Sequence, residues 1–107
     1  MKTTFTVRHV EDDSAVRGHF EDRCQKLQKY LKRFKEDQVF LHGTLEKNPH
    51  REDFFATLSL FLPFVALHCR ERGGDSLAAM NAAFLDIIRQ VEKHTEKLDR
   101  EKRRRER

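Results

Sequence analysis

Residues 75–107, DSLAAMNAAFLDIIRQVEKHTEKLDREKRRRER, read as one long helix with an apolar face at its start and a basic ridge towards its end. With successive residues placed about 100° apart and Arg89 set at zero, Leu77, Met80, Phe84, Ile87, Ile88, Val91 and Leu98 fall between roughly 160° and 260°. Arg89, Lys93, Lys97, Arg100 and Arg104 fall between roughly 0° and 80°. The two stripes face opposite ways. An apolar stripe of that width must be covered by the rest of the chain, so the basic stripe is left for solvent or a polyanion. Arg72-Gly73-Gly74-Asp75 is expected to be a turn ending in the helix cap, and the Leu77–Ala83 opening has high helix propensity.

The preceding residues supply the cover. Phe5 and Val7 alternate with polar neighbours over Thr3–Arg8, the pattern of a short strand. Asp12-Asp13-Ser14 signals a helix start with Asp13 as N-cap. That helix is expected to run to about Phe34 on Val16, Phe20, Cys24, Leu27, Leu31 and Phe34, with Arg23, Lys26, Lys29 and Arg33 on or beside its far side. Val39–Glu46 alternates again, Lys47-Asn48-Pro49-His50 is a turn, and Phe54–Leu62 and Phe64–Arg70 form strands either side of Pro63. The order β-α-β-β-β-α predicts an α+β fold. It is a two-layer sandwich with a four-stranded mixed sheet and both helices on one face. That geometry would set the two basic ridges side by side on the outer surface.

Length and composition limit the alternatives. A chain of 107 residues with 37% hydrophobic and 37% charged content supports a single domain, placed at residues 1–101, followed by a basic tail at 102–107. No apolar run reaches the ~20 residues of a membrane span, and Met1-Lys2-Thr3-Thr4 leads straight into a strand pattern instead of a signal sequence. Two cysteines, Cys24 and Cys69, suggest a reduced, cytoplasmic protein. Residues 1–88 carry thirteen Lys/Arg against thirteen Asp/Glu, whereas residues 89–107 carry nine against five. The whole formal excess of +4 thus lies at the end of the last helix. A second local excess, seven basic residues against two acidic ones, spans Ser14–Lys35.

The chain resembles the ribosome hibernation promoting factor and ribosome-associated inhibitor family, also called sigma-54 modulation proteins, over roughly residues 3–100. The resemblance is carried by Ala15-Val16-Arg17, by Asp22-Arg23 with Lys26-Leu27 and Lys29-Tyr30, and by Ala56-Thr57-Leu58. It continues in Asp75–Ala83 and in Arg89-Gln90-Val91-Glu92-Lys93. It implies a sandwich close to double-stranded RNA-binding domains. It also implies a site on the small ribosomal subunit, in the channel used by messenger and transfer RNA, and inhibition of translation in stationary or stressed bacteria. By the same resemblance the RNA-facing residues are Arg17, Arg23, Lys26 and Lys29, then Arg72 in the turn before the last helix, then Arg89, Lys93 and Lys97. Arg33, Arg100 and Arg104 join them from the helical wheel alone. Asp86 and Ile88 depart from the family pattern, which usually has Lys and Glu there, and Asp86 lies on the basic side of the wheel. The basic ending suggests the short form, without the C-terminal domain with which long members pair ribosomes.

Other readings stay open at this level. A generic structured-RNA-binding protein would show the same ridges. A solvated helix face would pair Glu96 with Arg100, Asp99 with Arg103 and Glu101 with Arg105. Leu77, Phe84, Val91 and Leu98 recur every seven residues like a coiled-coil seam, and fail at His94 and Glu101. A protein-interaction or dimerisation module, or a weak homo-oligomer, would use the open sheet face, where Phe40, Phe55, Phe61 and Phe64 are candidates for an apolar patch. Enzyme chemistry is not expected. The six histidines show no metal-ligand spacing, and adjacent His68 and Cys69 point to opposite sides of a strand. Gly73-Gly74 lacks the Lys-Ser/Thr of a phosphate loop. Neither a cofactor, a small-molecule substrate nor a membrane partner is expected.

Overall fold

The computed structural model describes residues 1–10 and 14–106. The chain runs through β1 (Lys2–Arg8), α1 (Ser14–Gln28), a 3-10 turn (Glu36–Gln38), β2 (Phe40–Lys47), β3 (Phe54–Leu62), β4 (Val65–Gly73) and α2 (Ser76–Arg105). The sheet order is β1-β2-β3-β4. β1 and β2 are parallel, as a strand-helix-strand crossover requires, and the later pairs are antiparallel. This is the expected β-α-β-β-β-α sandwich. Asp13, expected to cap α1, lies outside the described residues.

Period-two burial defines the inner face of the sheet. Leu41 and Leu45 of β2, Ala56, Leu58 and Leu60 of β3 and Cys69 of β4 are buried. Val16, Phe20, Cys24 and Leu27 of α1 and Met80, Phe84, Ile87 and Val91 of α2 close over them. Phe20 sits at the centre. It stacks on Phe5 of β1 with centroids 4.1 Å apart and meets the edge of Phe84 of α2 at 5.7 Å. Gly43 makes room for it, since a Cβ there would lie 2.8 Å from the Phe20 ring. Both helices therefore share one face, with Phe20 of α1 over β1 and β2 and with α2 across β3 and β4. The seven-residue repeat of α2 is used by this core, where Phe84 and Val91 are buried.

Three expectations change. α1 ends at Gln28 and not near Phe34. Its continuation bonds at i−3, through Lys29 N to Lys26 O, Tyr30 N to Leu27 O and Leu31 N to Gln28 O. This tighter winding still buries Leu31 and sets Phe34 against His94, centroids 6.4 Å apart. Phe64 belongs to the turn, with φ 67°, while β4 begins at Val65 and runs on to Gly73. Arg72 is therefore a strand residue and not part of the turn before α2.

α2 is capped by the Asp75 carboxylate, which accepts from Ala78 N at 2.7 Å. It continues unbroken to Arg105, so the basic run Lys102–Arg105 is helical and places four cations in the last turn, where the helix dipole favours them. Residues 101–106 are exposed, and the long axis of the molecule reaches 56 Å. No helix among the described residues is long and apolar enough to cross a membrane.

Candidate nucleic-acid interface

The α2 row is the simplest part of the site. Arg89, Lys93, Lys97, Arg100 and Arg104 are all exposed on the side away from the core. At 1.5 Å per residue they span about 22 Å. Among the described residues none of the five makes an ion pair. The (i, i+4) pairs that the sequence allows on this helix do not form either. Asp99 instead meets Arg33, Nη2 to Oδ1 at 3.1 Å, and Arg33 also donates to the Thr95 carbonyl at 3.5 Å.

The α1 row is less free. Lys26 lies 3.6 Å from Asp22 one turn earlier, both well exposed. Arg23 is half-buried, its Nε 3.5 Å from His19 Nε2. Lys29 is exposed on the turn after the helix. Arg17 leaves the row altogether: its guanidinium donates to the Phe5 carbonyl at 3.2 Å and lies 5.7 Å from the Phe5 ring, on the β1 flank.

The two rows share a layer without merging. His19 Nε2 and Asn81 Oδ1, 2.7 Å apart, clasp α1 to α2, and a groove lined by Arg23, Lys26, Tyr30, Leu85 and Ile88 runs beside that clasp. Further along, Tyr30, Glu92, Thr95 and Glu96 line the seam, and Asp99 continues it. The expectation of two ridges forming one cationic surface is therefore corrected. The flank that α2 turns to α1 carries its acidic residues, so a carboxylate strip separates the rows.

Arg72 stands apart from both. Strand alternation puts Cys69 and Glu71 on the helix side and Arg70 and Arg72 on the open side of the sheet, where Arg72 Nε is 3.7 Å from Asp53 Oδ2. The structure thus gathers Arg89, Lys93, Lys97, Arg100 and Arg104, sets Arg23, Lys26, Lys29 and Arg33 across a seam, and takes Arg17 and Arg72 elsewhere. Sequence reasoning passed over Arg70, which stacks on Phe55 with its guanidinium 4.4 Å from the ring centroid. The strict alternation of Ala66, His68, Arg70 and Arg72 was the signal for it.

At the β4 edge, Gln90 Nε2 donates to the His68 carbonyl at 2.8 Å and to Asp86 Oδ1 at 3.0 Å. Asp86 in turn shares a hydrogen bond with Glu71, whose pKa is raised by that bond, by desolvation and by the Asp86 charge, against an opposing pull from Arg89. Both thiols are buried. Burial, with Glu21 adding to it, pushes Cys24 up to about 12. Burial and the Asp86 charge push Cys69 up to about 11, and its Sγ donates to the Ala83 carbonyl at 3.2 Å. Neither is a thiolate near neutrality, so both act as small core residues. Among the described residues no three His, Cys, Asp or Glu side chains are grouped to hold a metal.

Residues 3–99 match the protein family described as sigma 54 modulation protein / S30EA ribosomal protein. Among solved structures, the N-terminal domain of Protein Y from Thermus thermophilus superimposes with a TM-score of 0.72 at 18% identity, over 88% of this chain and 99% of that one. A ribosomal subunit interface protein from Coxiella burnetii gives a TM-score of 0.67 at 17% identity, over 89% of this chain and 98% of that one. At these identities the likeness is one of fold. No curated protein matches the chain by sequence.

Proposed function

The chain belongs to the sigma 54 modulation protein / S30EA ribosomal protein family, and on that premise we propose that it is a ribosome-associated hibernation factor that inhibits translation by occupying the RNA-lined channel of the small subunit. The observation that carries this reading is the α2 row, Arg89 to Arg104, which makes no ion pair among the described residues and is held outward by a core on the opposite side of the same helix. A row of cations about 22 Å long can follow consecutive phosphates of structured RNA. Such contacts position a protein without reading bases, and specificity then comes from the shape of the RNA.

Inhibition needs no chemistry at the site. Occupancy of a space that messenger and transfer RNA require is enough, and the ribosome places the protein in the cytoplasm. Arg23, Lys26 and Lys29 add a second line of contacts across the seam, and Arg33 contributes less because Asp99 holds it. Arg17 and Arg72 contact RNA only if it also reaches the β1 flank or the open sheet face.

Sucrose-gradient sedimentation tests the reading. The protein is expected to travel with the small subunit and to be displaced by transfer RNA. Equal affinity for any duplex RNA, with no preference for the subunit, would replace this reading with that of a general structured-RNA binder.

A further inference from the structure

The sheet face opposite the helices carries a second, separate arrangement. Strand register brings Phe40 of β2 directly beside Phe61 of β3, the two central strands, and both rings are nearly half exposed, at 45% and 44%. Lys2 flanks Phe40, its Nζ 6.0 Å from the ring centroid, and His68 stands at right angles to Phe61 at 6.1 Å. At the same end of the sheet the β3–β4 turn projects Phe64, fully exposed and with φ 67°. A bulky residue in the left-handed region opposes folding, and a ring left fully in water gains no burial to offset that cost.

The rest of this face is polar. Thr4 bonds to His42, and Ser59 and His68 Nδ1 are 2.9 Å apart, so hydroxyls and imidazoles fill the row next to the aromatics. The rim is cationic. Lys2 and Arg8 lie on β1, Arg70 and Arg72 on β4, and the carboxylates facing them are Glu46 and the Asp53 that holds Arg72.

We infer that this open face is a binding platform for single-stranded RNA, with bases stacking on Phe61, Phe40 and Phe64 and the backbone following the cationic rim. Charge decides the class of partner. The core of a protein interface is depleted of charge, whereas a face whose rim keeps a positive excess, four cations against two carboxylates, with hydrogen-bonding groups between, suits a polyanion with polar bases. The aromatics decide the strandedness. Only unpaired, unstacked bases can lay a π-face on a ring, and duplex RNA hides them. The platform is distinct from the helix rows and does not rest on them.

The experiment uses a short fluorescein-labelled oligouridylate and a fully paired RNA hairpin, titrated into the full chain and into a Phe61→Ala/Phe64→Ala variant. Phe64 is fully exposed and Phe61 nearly half exposed, so the variant is expected to fold, with its melting temperature lowered by no more than a few degrees through the lost Phe40–Phe61 contact. The variant should bind the oligouridylate about tenfold or more weakly and the hairpin as before. In a second arm the Arg89→Glu/Lys93→Glu/Lys97→Glu protein, impaired on the helix side, should still bind oligouridylate, with NMR shifts at Phe61, Phe64 and His68. Equal oligouridylate affinity for the aromatic variant and the parent, or shifts confined to α1 and α2, would overturn the proposal. So would a variant altered only in self-association, which would assign the face to a second copy of the chain.

Discussion

Arg33 Nη2 stands 3.1 Å from Asp99 Oδ1, so the segment that follows α1 is tied to the exposed half of α2 through a cation of the proposed interface. The pair is 37% and 49% exposed, which limits its stabilising contribution to under about 1 kcal/mol. Asp99→Asn should therefore leave the melting temperature nearly unchanged. It should tighten small-subunit binding and steepen the salt dependence by about one unit of slope, one more phosphate being neutralised. Filter binding over a salt series checks this, and weaker binding by the variant would count against it.

Glu71 and Asp86 share a hydrogen bond at the β4 edge, and Glu71 keeps its proton to higher pH in the folded chain than in the unfolded one. Folding then takes up a proton, so stability falls as pH rises from the ordinary carboxylate range through the raised Glu71 value. Asp86→Lys replaces the repulsion with an attraction and extends the cationic row. Denaturant unfolding across this pH window should show the parent losing stability and the variant not doing so, and the variant should bind the subunit more tightly.

Two glycines are fixed by close approach. A Cβ at Gly73 would lie 2.4 Å from Ala79 N and 2.8 Å from Ala79 Cα, backbone atoms that can move only if α2 moves. At Gly43 it would press on Phe20, which Phe5 and Phe84 already hold. Gly43→Ala should cost roughly 1–3 kcal/mol as overpacking, and Gly73→Ala more, by chemical denaturation. Gly74→Ala is the control, since nothing lies within 4 Å of its Cβ position.

Thr95 Oγ1 is buried without a hydrogen-bond partner. Its neighbours Tyr30 and Val91 line the same seam. Thr95→Val removes a desolvated hydroxyl at nearly constant volume, and should raise unfolding stability by about 1 kcal/mol. Subunit binding should stay as it is.

The parts of the fold written in short-range periodicity were legible before any coordinates. The apolar stripe of α2, the alternation of Leu41, Gly43 and Leu45 and the Asp75 cap each follow from spacing, and together they fix the element order. The end of α1 was not legible. Leu31 and Phe34 keep the helical period although the backbone has tightened to i−3 bonds, and a wheel cannot distinguish the two. For the site, the outward face of α2 was readable from one helix. The carboxylate seam was not, because it depends on which flank of α2 meets α1. Arg17 and Arg72 left the rows for tertiary reasons, a strand carbonyl and ring in one case and the parity of β4 in the other.

The most direct measurement is small-subunit binding by the Arg89→Glu/Lys93→Glu/Lys97→Glu chain beside its parent, as a function of salt. With six to ten phosphates engaged, the parent should lose roughly 10³ to 10⁵ in affinity between 50 and 200 mM salt. The reversed chain should fail to bind even at the lower salt while melting at nearly the same temperature. A reversed chain that sediments with the subunit and inhibits translation as its parent does would contradict a cationic interface on α2.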